Sequence, residues 1–118
     1  MNTVGVDFDG VIHPYTEGWT GSMPADEPPI PGTMIALANL HRAGYRVVVI
    51  SSRADHLEGY EGICAWLKKW SLDLYVDLVT DRKVGAVAYI DDRAVHFDGG
   101  NWADALDEVE RLAAGKAE

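Results

Sequence analysis

Residues 46–50 read Arg-Val-Val-Val-Ile, an unbroken run dominated by β-branched side chains. A strand with one wet face alternates apolar and polar residues, so a continuous run implies a strand covered on both faces. Such strands belong to parallel sheets, and parallel sheets need crossover connections carrying helices. This constraint sets the reading of the rest of the chain.

Residues 2–8 (NTVGVDF) read as a short buried strand with a carboxylate at its end. A long loop rich in Gly and Pro follows over 10–31, and ordered loops of that length in small domains are often functional. Pro31 is placed to open a helix with Met34, Leu37 and Ala38 on one face, ended by Gly44. After the 46–50 strand a second helix is expected over 59–71, where Ile63, Trp66, Leu67 and Trp70 form an apolar stripe. Residues 74–80 and 86–90 read as further strands, and 94–97 as a short fifth. Asn101 caps a last helix whose expected buried face is Trp102, Ala105, Leu106 and Val109. This order predicts one α/β domain over residues 1–118, Rossmann-like and three-layered, with a mostly parallel sheet of four to five strands and no cap domain.

Composition narrows the function classes. Lys plus Arg number 10 against 19 Asp plus Glu, a formal charge of −9, which argues against long nucleic acid as a partner. No apolar run approaches the ~20 residues needed to span a membrane. No basic stretch followed by an apolar core opens the chain, so no secretory signal is expected. Cys64 is the sole cysteine, leaving no intrachain disulfide, and a cytoplasmic location is the default expectation. Cys64, mid-helix, reads as inert packing, and His41, His56 and His96 have no zinc-ligand spacing.

Ligands of parallel sheets bind beyond the C-terminal strand ends. Asp7 and Asp9 follow the first strand, Ser51 the second, and Asp91 and Asp92 the fourth, which Lys83 precedes. Four carboxylates at one sheet edge repel one another, and a divalent cation resolves the repulsion. Oxygen ligands favour a hard ion, so Mg²⁺ is the expected cofactor, with Asp7, Asp9, Asp91 and Asp92 as its candidate ligands.

In order, DFDGV, ISSR, Lys83 and IDDR resemble the four motifs of the haloacid dehalogenase (HAD) superfamily over residues 4–97. Val11 departs from the pattern where many members carry Thr, and the stretches 10–31 and 52–58 are too short for a cap domain. The resemblance implies a small phosphatase-like member. Asp7 would be the nucleophile and Asp9 the general acid and base. Ser51 would hold the phosphoryl oxygens, with Ser52 as the alternative contact, and Lys83 would steady Asp7. Asp91 would ligate Mg²⁺ with Asp7 and the Asp9 backbone carbonyl, and Asp92 would be a further ligand or a support. Gly10, Ser52 and Arg53 are the candidate substrate contacts, and His13 is a further candidate in the loop. Trp66 and Trp70 read as core, whereas Tyr15 and Trp19 lie in the loop and can border the site.

The expected function is therefore Mg²⁺-dependent hydrolysis of small phosphomonoesters, nucleotides among them, through an aspartyl-phosphate. The alternatives are a silent binding or regulatory domain of the same fold, or a polynucleotide end phosphatase, the latter on the strength of Asp91-Asp92-Arg93. A phosphorelay receiver is disfavoured, because its acidic pair follows the first strand and its lysine comes late. Capless small domains often cover the site with a neighbouring subunit, so a homo-oligomer is compatible with this reading.

Overall fold

The computed structural model describes residues 2–115; Met1 and residues 116–118 of the expected 1–118 domain lie outside the described residues. Strand β1 (Thr3–Asp7) occupies the middle of a four-stranded sheet, between β2 (Arg46–Ile50) and β4 (Ala88–Ile90), with β3 (Leu78–Thr80) beyond β2. Every pairing is parallel, with Val4 opposite Val47 and Asp7 opposite Ile50. Helix α1 (Thr33–Arg42) joins β1 to β2, and helix α2 (Leu57–Lys69) joins β2 to β3. Both crossovers move across the sheet in the same direction, so the right-handed rule puts both helices on one face. Val4, Val6, Val47, Val49 and Val79 of that face pack with Leu37 of α1 and Ile63, Trp66 and Leu67 of α2. The α/β class and the parallel sheet are as read from the sequence, and no cap domain is present among the described residues. No described helix is long and apolar enough to cross a membrane.

Several boundaries differ from expectation. Helix α1 starts at Thr33, not Pro31, because the Thr33 amide and hydroxyl both donate to the Ile30 carbonyl and make a turn first. Gly44 does close it, at φ 90°. The strand expected over 74–80 is cut to Leu78–Thr80. A 3₁₀ turn (Asp73–Tyr75) hangs from the buried Leu72, and the Asp77 carboxylate takes the Val47 amide, so the ladder starts only after Asp77. Residues 94–97 form no strand; they border the second face of the sheet beside Tyr89 and Ile90.

Helix α3 (Trp102–Ala114) is capped as expected, Asn101 Oδ1 accepting from the Asp104 amide at 3.1 Å. Its expected buried face is not buried: Trp102 is 71% exposed, and Leu106 and Val109 are exposed too. The helix lies against the 94–98 segment, where Trp102 meets the Phe97 ring at 4.9 Å, and contributes nothing to the core.

The loop between β1 and α1 packs onto α2, and two glycines of α2 face it. A Cβ on Gly62 would meet Met23 Sδ at 2.7 Å, and one on Gly59 would fall 1.9 Å from the Arg53 carbonyl oxygen. That oxygen belongs to backbone and cannot swing away. Gly59→Ala is therefore expected to lower stability by about 1–3 kcal/mol, although alanine is the better helix former. Urea unfolding measures this directly, and a variant as stable as the wild type would contradict the close approach.

Candidate active site

The site begins where β1 stops. The Phe8 side chain is fully buried, and its carbonyl accepts from the amides of Val11, Ile12 and His13 at 3.3, 3.0 and 2.9 Å. This tight reversal places Asp7 and Asp9 around one small cavity of about 180 Å³, which Tyr15, Trp19, Ser52, Asp92 and Arg93 also line. Gly10 lies inside the reversal at φ +83°, a left-handed backbone that glycine adopts without a Cβ penalty. Its amide donates to the His13 carbonyl at 2.8 Å, so it is not open to a substrate as expected. A Cβ here would fall 2.5 Å from Asp92 Oδ2, so the bare α-carbon is what lets Asp92 close in.

Asp91 and Asp92 leave β4, the strand next to β1, on the same side. Asp7, Asp91 and Asp92 each offer a carboxylate oxygen, and these atoms all lie within 4.8 Å of one another. Burial, and next the charge of Asp91, raise the Asp7 carboxyl from 3.8 to about 7; Asp92 and Asp9 push the same way, against a lowering hydrogen bond from the Phe8 backbone. Three hard oxygen donors, one of them costly to ionise unaided, form a set that fits a divalent ion such as Mg²⁺. The expected set of four carboxylates divides here, because the Asp9 side chain is held elsewhere.

Its holder is Arg53. The Arg53 Nε donates to Asp9 Oδ1 and Oδ2 at 3.1 and 3.0 Å, and Nη1 donates to the carbonyls of Gly21, Ser22 and Met23 at 2.6, 3.3 and 3.0 Å. The residue is 1% exposed and is absent from the cavity lining, which corrects its assignment as a substrate contact. It is a clamp joining Asp9 to the loop. No family model, curated protein or solved structure matches this chain.

Of the two serines, Ser51 is buried and its Oγ accepts from the Arg53 amide at 3.2 Å, capping the 3₁₀ turn Ser52–Asp55. Ser52 is exposed and lines the cavity with Asp7 and Asp9, so it is the hydroxyl open to a bound anion. The Lys83 ammonium lies over the Tyr89 ring at 4.6 Å, in a neighbouring groove that Asp7 and Asp91 also line. Arg93 is the cationic side chain in the lining of the smaller cavity. In the sequence Arg93 stands out only through Asp91-Asp92-Arg93, and its place two residues after Asp91 is the signal that puts it at the site.

His13 is buried, not a substrate contact. Its Nδ1 accepts from the Tyr15 amide at 3.0 Å, which leaves Nε2 to carry the proton and donate to the Ala25 carbonyl at 2.8 Å. Trp66 Nε1 donates to the Glu27 carbonyl at 2.8 Å, and its ring meets Phe8 edge-on at 5.2 Å. Loop 10–31 is thus pinned from its first turn to its last, with Ile30 bonded back to Ile12. Tyr15 and Trp19 stand at the cavity, as the loop position implied.

Proposed function

We propose that this chain is a Mg²⁺-dependent phosphomonoester hydrolase that works through an aspartyl-phosphate on Asp7. One observation carries the reading. Asp7, at the end of a central strand, is crowded by Asp91 and Asp92, while Asp9, two residues on, borders the same cavity from a fixed clamp. The order of the four sequence motifs, similar to that of the HAD superfamily, supports it.

Asp7, Asp91 and Asp92 would hold the ion, which when bound supplies positive charge that offsets repulsion between Asp7 and a phosphate dianion. Asp7 attacks phosphorus as the bond to the leaving oxygen breaks, and Asp9, which takes up a proton from solvent before the step, gives it to that oxygen. Asp9 then takes a proton from water as the water oxygen attacks the same phosphorus. Inorganic phosphate leaves and Asp7 is regenerated. Ser52 donates to a phosphoryl oxygen, and Arg93 offsets its charge. Lys83 reaches the site from the adjoining groove by leaving the Tyr89 ring.

The test is phosphate release from a panel of phosphomonoesters with and without Mg²⁺; no release from any of them with the metal present would defeat the proposal. Binding has its own readout. At a concentration about 100 times the dissociation constant, Mg²⁺ is expected to stabilise the fold by about 2.7 kcal/mol. Asp91→Ala should lose most of that response, and an equal response in both proteins would put the ion elsewhere.

Metal-free protein should also show a pH dependence of known sign. The Asp7 carboxyl is raised to about 7 in the fold, above its unfolded value. The stability this contributes is full below pH ~4 and is lost as pH rises through about 7. Between pH 5 and 8 the loss should be about 1–2 kcal/mol, once solvent screening of a part-exposed side chain is allowed for. Saturating Mg²⁺ should flatten it. Thermal scans across that range, with and without the ion, give the slope, and a metal-free protein that gains stability toward pH 8 would contradict the crowding at Asp7.

A further inference from the structure

We propose, resting on the hydrolase reading above, that the substrate is a nucleoside monophosphate whose base stacks on Trp19 and Tyr15. The cavity beside Asp7 and Asp9 is about 180 Å³, room for about six water molecules. A phosphoryl group and part of a sugar fill that space, so the bulk of a larger leaving group must stand at the rim. Tyr15 and Trp19 are the aromatic residues of the cavity lining. Trp19 is 56% exposed, and one face of its ring packs against the buried Arg53 guanidinium, 4.6 Å from the ring centroid. Tyr15 has φ +59°, a left-handed backbone that a non-glycine residue keeps only where its surroundings hold it. The hold is visible: its amide donates to the buried His13, whose other nitrogen is anchored to Ala25.

The Tyr15 backbone and the Trp19 ring are therefore held beside the cavity, which lowers the ordering cost for a planar group that packs there. Stacking on aromatic side chains is how proteins commonly take up bases without reading their edges. A plain sugar phosphate leaves these rings wet. A polynucleotide end would offer a base too, but the formal charge of −9 opposes a long polyanion and leaves a single nucleotide as the fitting size.

The experiment compares a nucleoside 5′-monophosphate with ribose 5-phosphate, which has the same phosphoryl group and sugar and no base. Wild type should show a kcat/KM ratio of about 10 or more in favour of the nucleotide. In Trp19→Leu the ratio should fall to near one, and Trp19→Phe should keep most of it. A ratio cancels any damage the substitution does to both substrates alike. Calorimetry on Asp7→Asn protein with Mg²⁺ supplies a readout free of turnover, where the nucleotide should bind about tenfold tighter. Equal turnover of the two compounds by wild type would overturn the stacking and leave the hydrolase reading intact. Turnover of neither, with the calorimetric preference retained, would overturn the hydrolase reading and keep the base site. Equal binding of the two, or a clear preference for a phosphorylated oligonucleotide, would overturn the proposal.

Discussion

Asp7→Asn is expected to cut phosphate release by about 10⁴-fold or more while the fold persists, the scale seen when a nucleophile is removed from a covalent mechanism. The amide has nearly the shape of the carboxylate, so the packing around β1 has no reason to change. What it lacks is the anionic oxygen that attacks phosphorus. The same substitution removes the group that burial and Asp91 make costly to ionise. Metal-free Asp7→Asn should therefore be more stable than metal-free wild type at pH 8, and the two should converge toward pH 5, where Asp7 is protonated in the fold. Opposite movements of activity and stability in one variant separate loss of chemistry from loss of structure. Phosphate release and thermal unfolding on the same preparation decide it. Activity within about tenfold of wild type would remove Asp7 from the nucleophile's role.

The parts of this site that the sequence disclosed are those that strand ends determine. In a parallel sheet the ends of β1 and β4 meet by topology, so Asp7, Asp91 and Asp92 had to converge once both runs were read as strands. The reading could not say which way a side chain turns just past a strand end. Ser51 and Ser52 are adjacent and chemically the same, and only the 3₁₀ turn that starts at Ser52 sends one inward and the other to the cavity. Arg53 reads as a substrate contact from its place after the second strand, because its actual partners, Asp9 and three carbonyls of a distant loop, have no signature in composition. The glycines at 59 and 62 were the available hint that a loop lies against α2. Helix α3 shows the converse limit. An apolar stripe at helical spacing establishes a helix, but Trp102, Leu106 and Val109 remain exposed because a stripe does not name what covers it.

Replacing Arg53 should give the largest loss of stability. Its guanidinium is enclosed, and it holds Asp9 through Nε and the Gly21–Met23 turn through Nη1. Arg53→Met keeps much of the volume and removes every donor. It leaves the Asp9 carboxylate without its cation and three carbonyls without their partner, and removing one member of a buried pair typically costs about 3–5 kcal/mol. Asp9 keeps some access to water, so about 3 kcal/mol is expected. Arg53→Lys restores the charge but not the fork, and one ammonium cannot face Asp9 and the turn together as the planar group does. The expected order of stability is wild type, then Lys, then Met. Chymotrypsin should also cut the Met variant faster after Tyr15 and Trp19, because the clamp is what ties that stretch to β1. Turnover should fall further than substrate binding in the Lys variant, since Asp9 stays in the site but loses its fixed position. A Met variant that matched wild type in both urea midpoint and turnover would show that Asp9 is positioned by something other than Arg53.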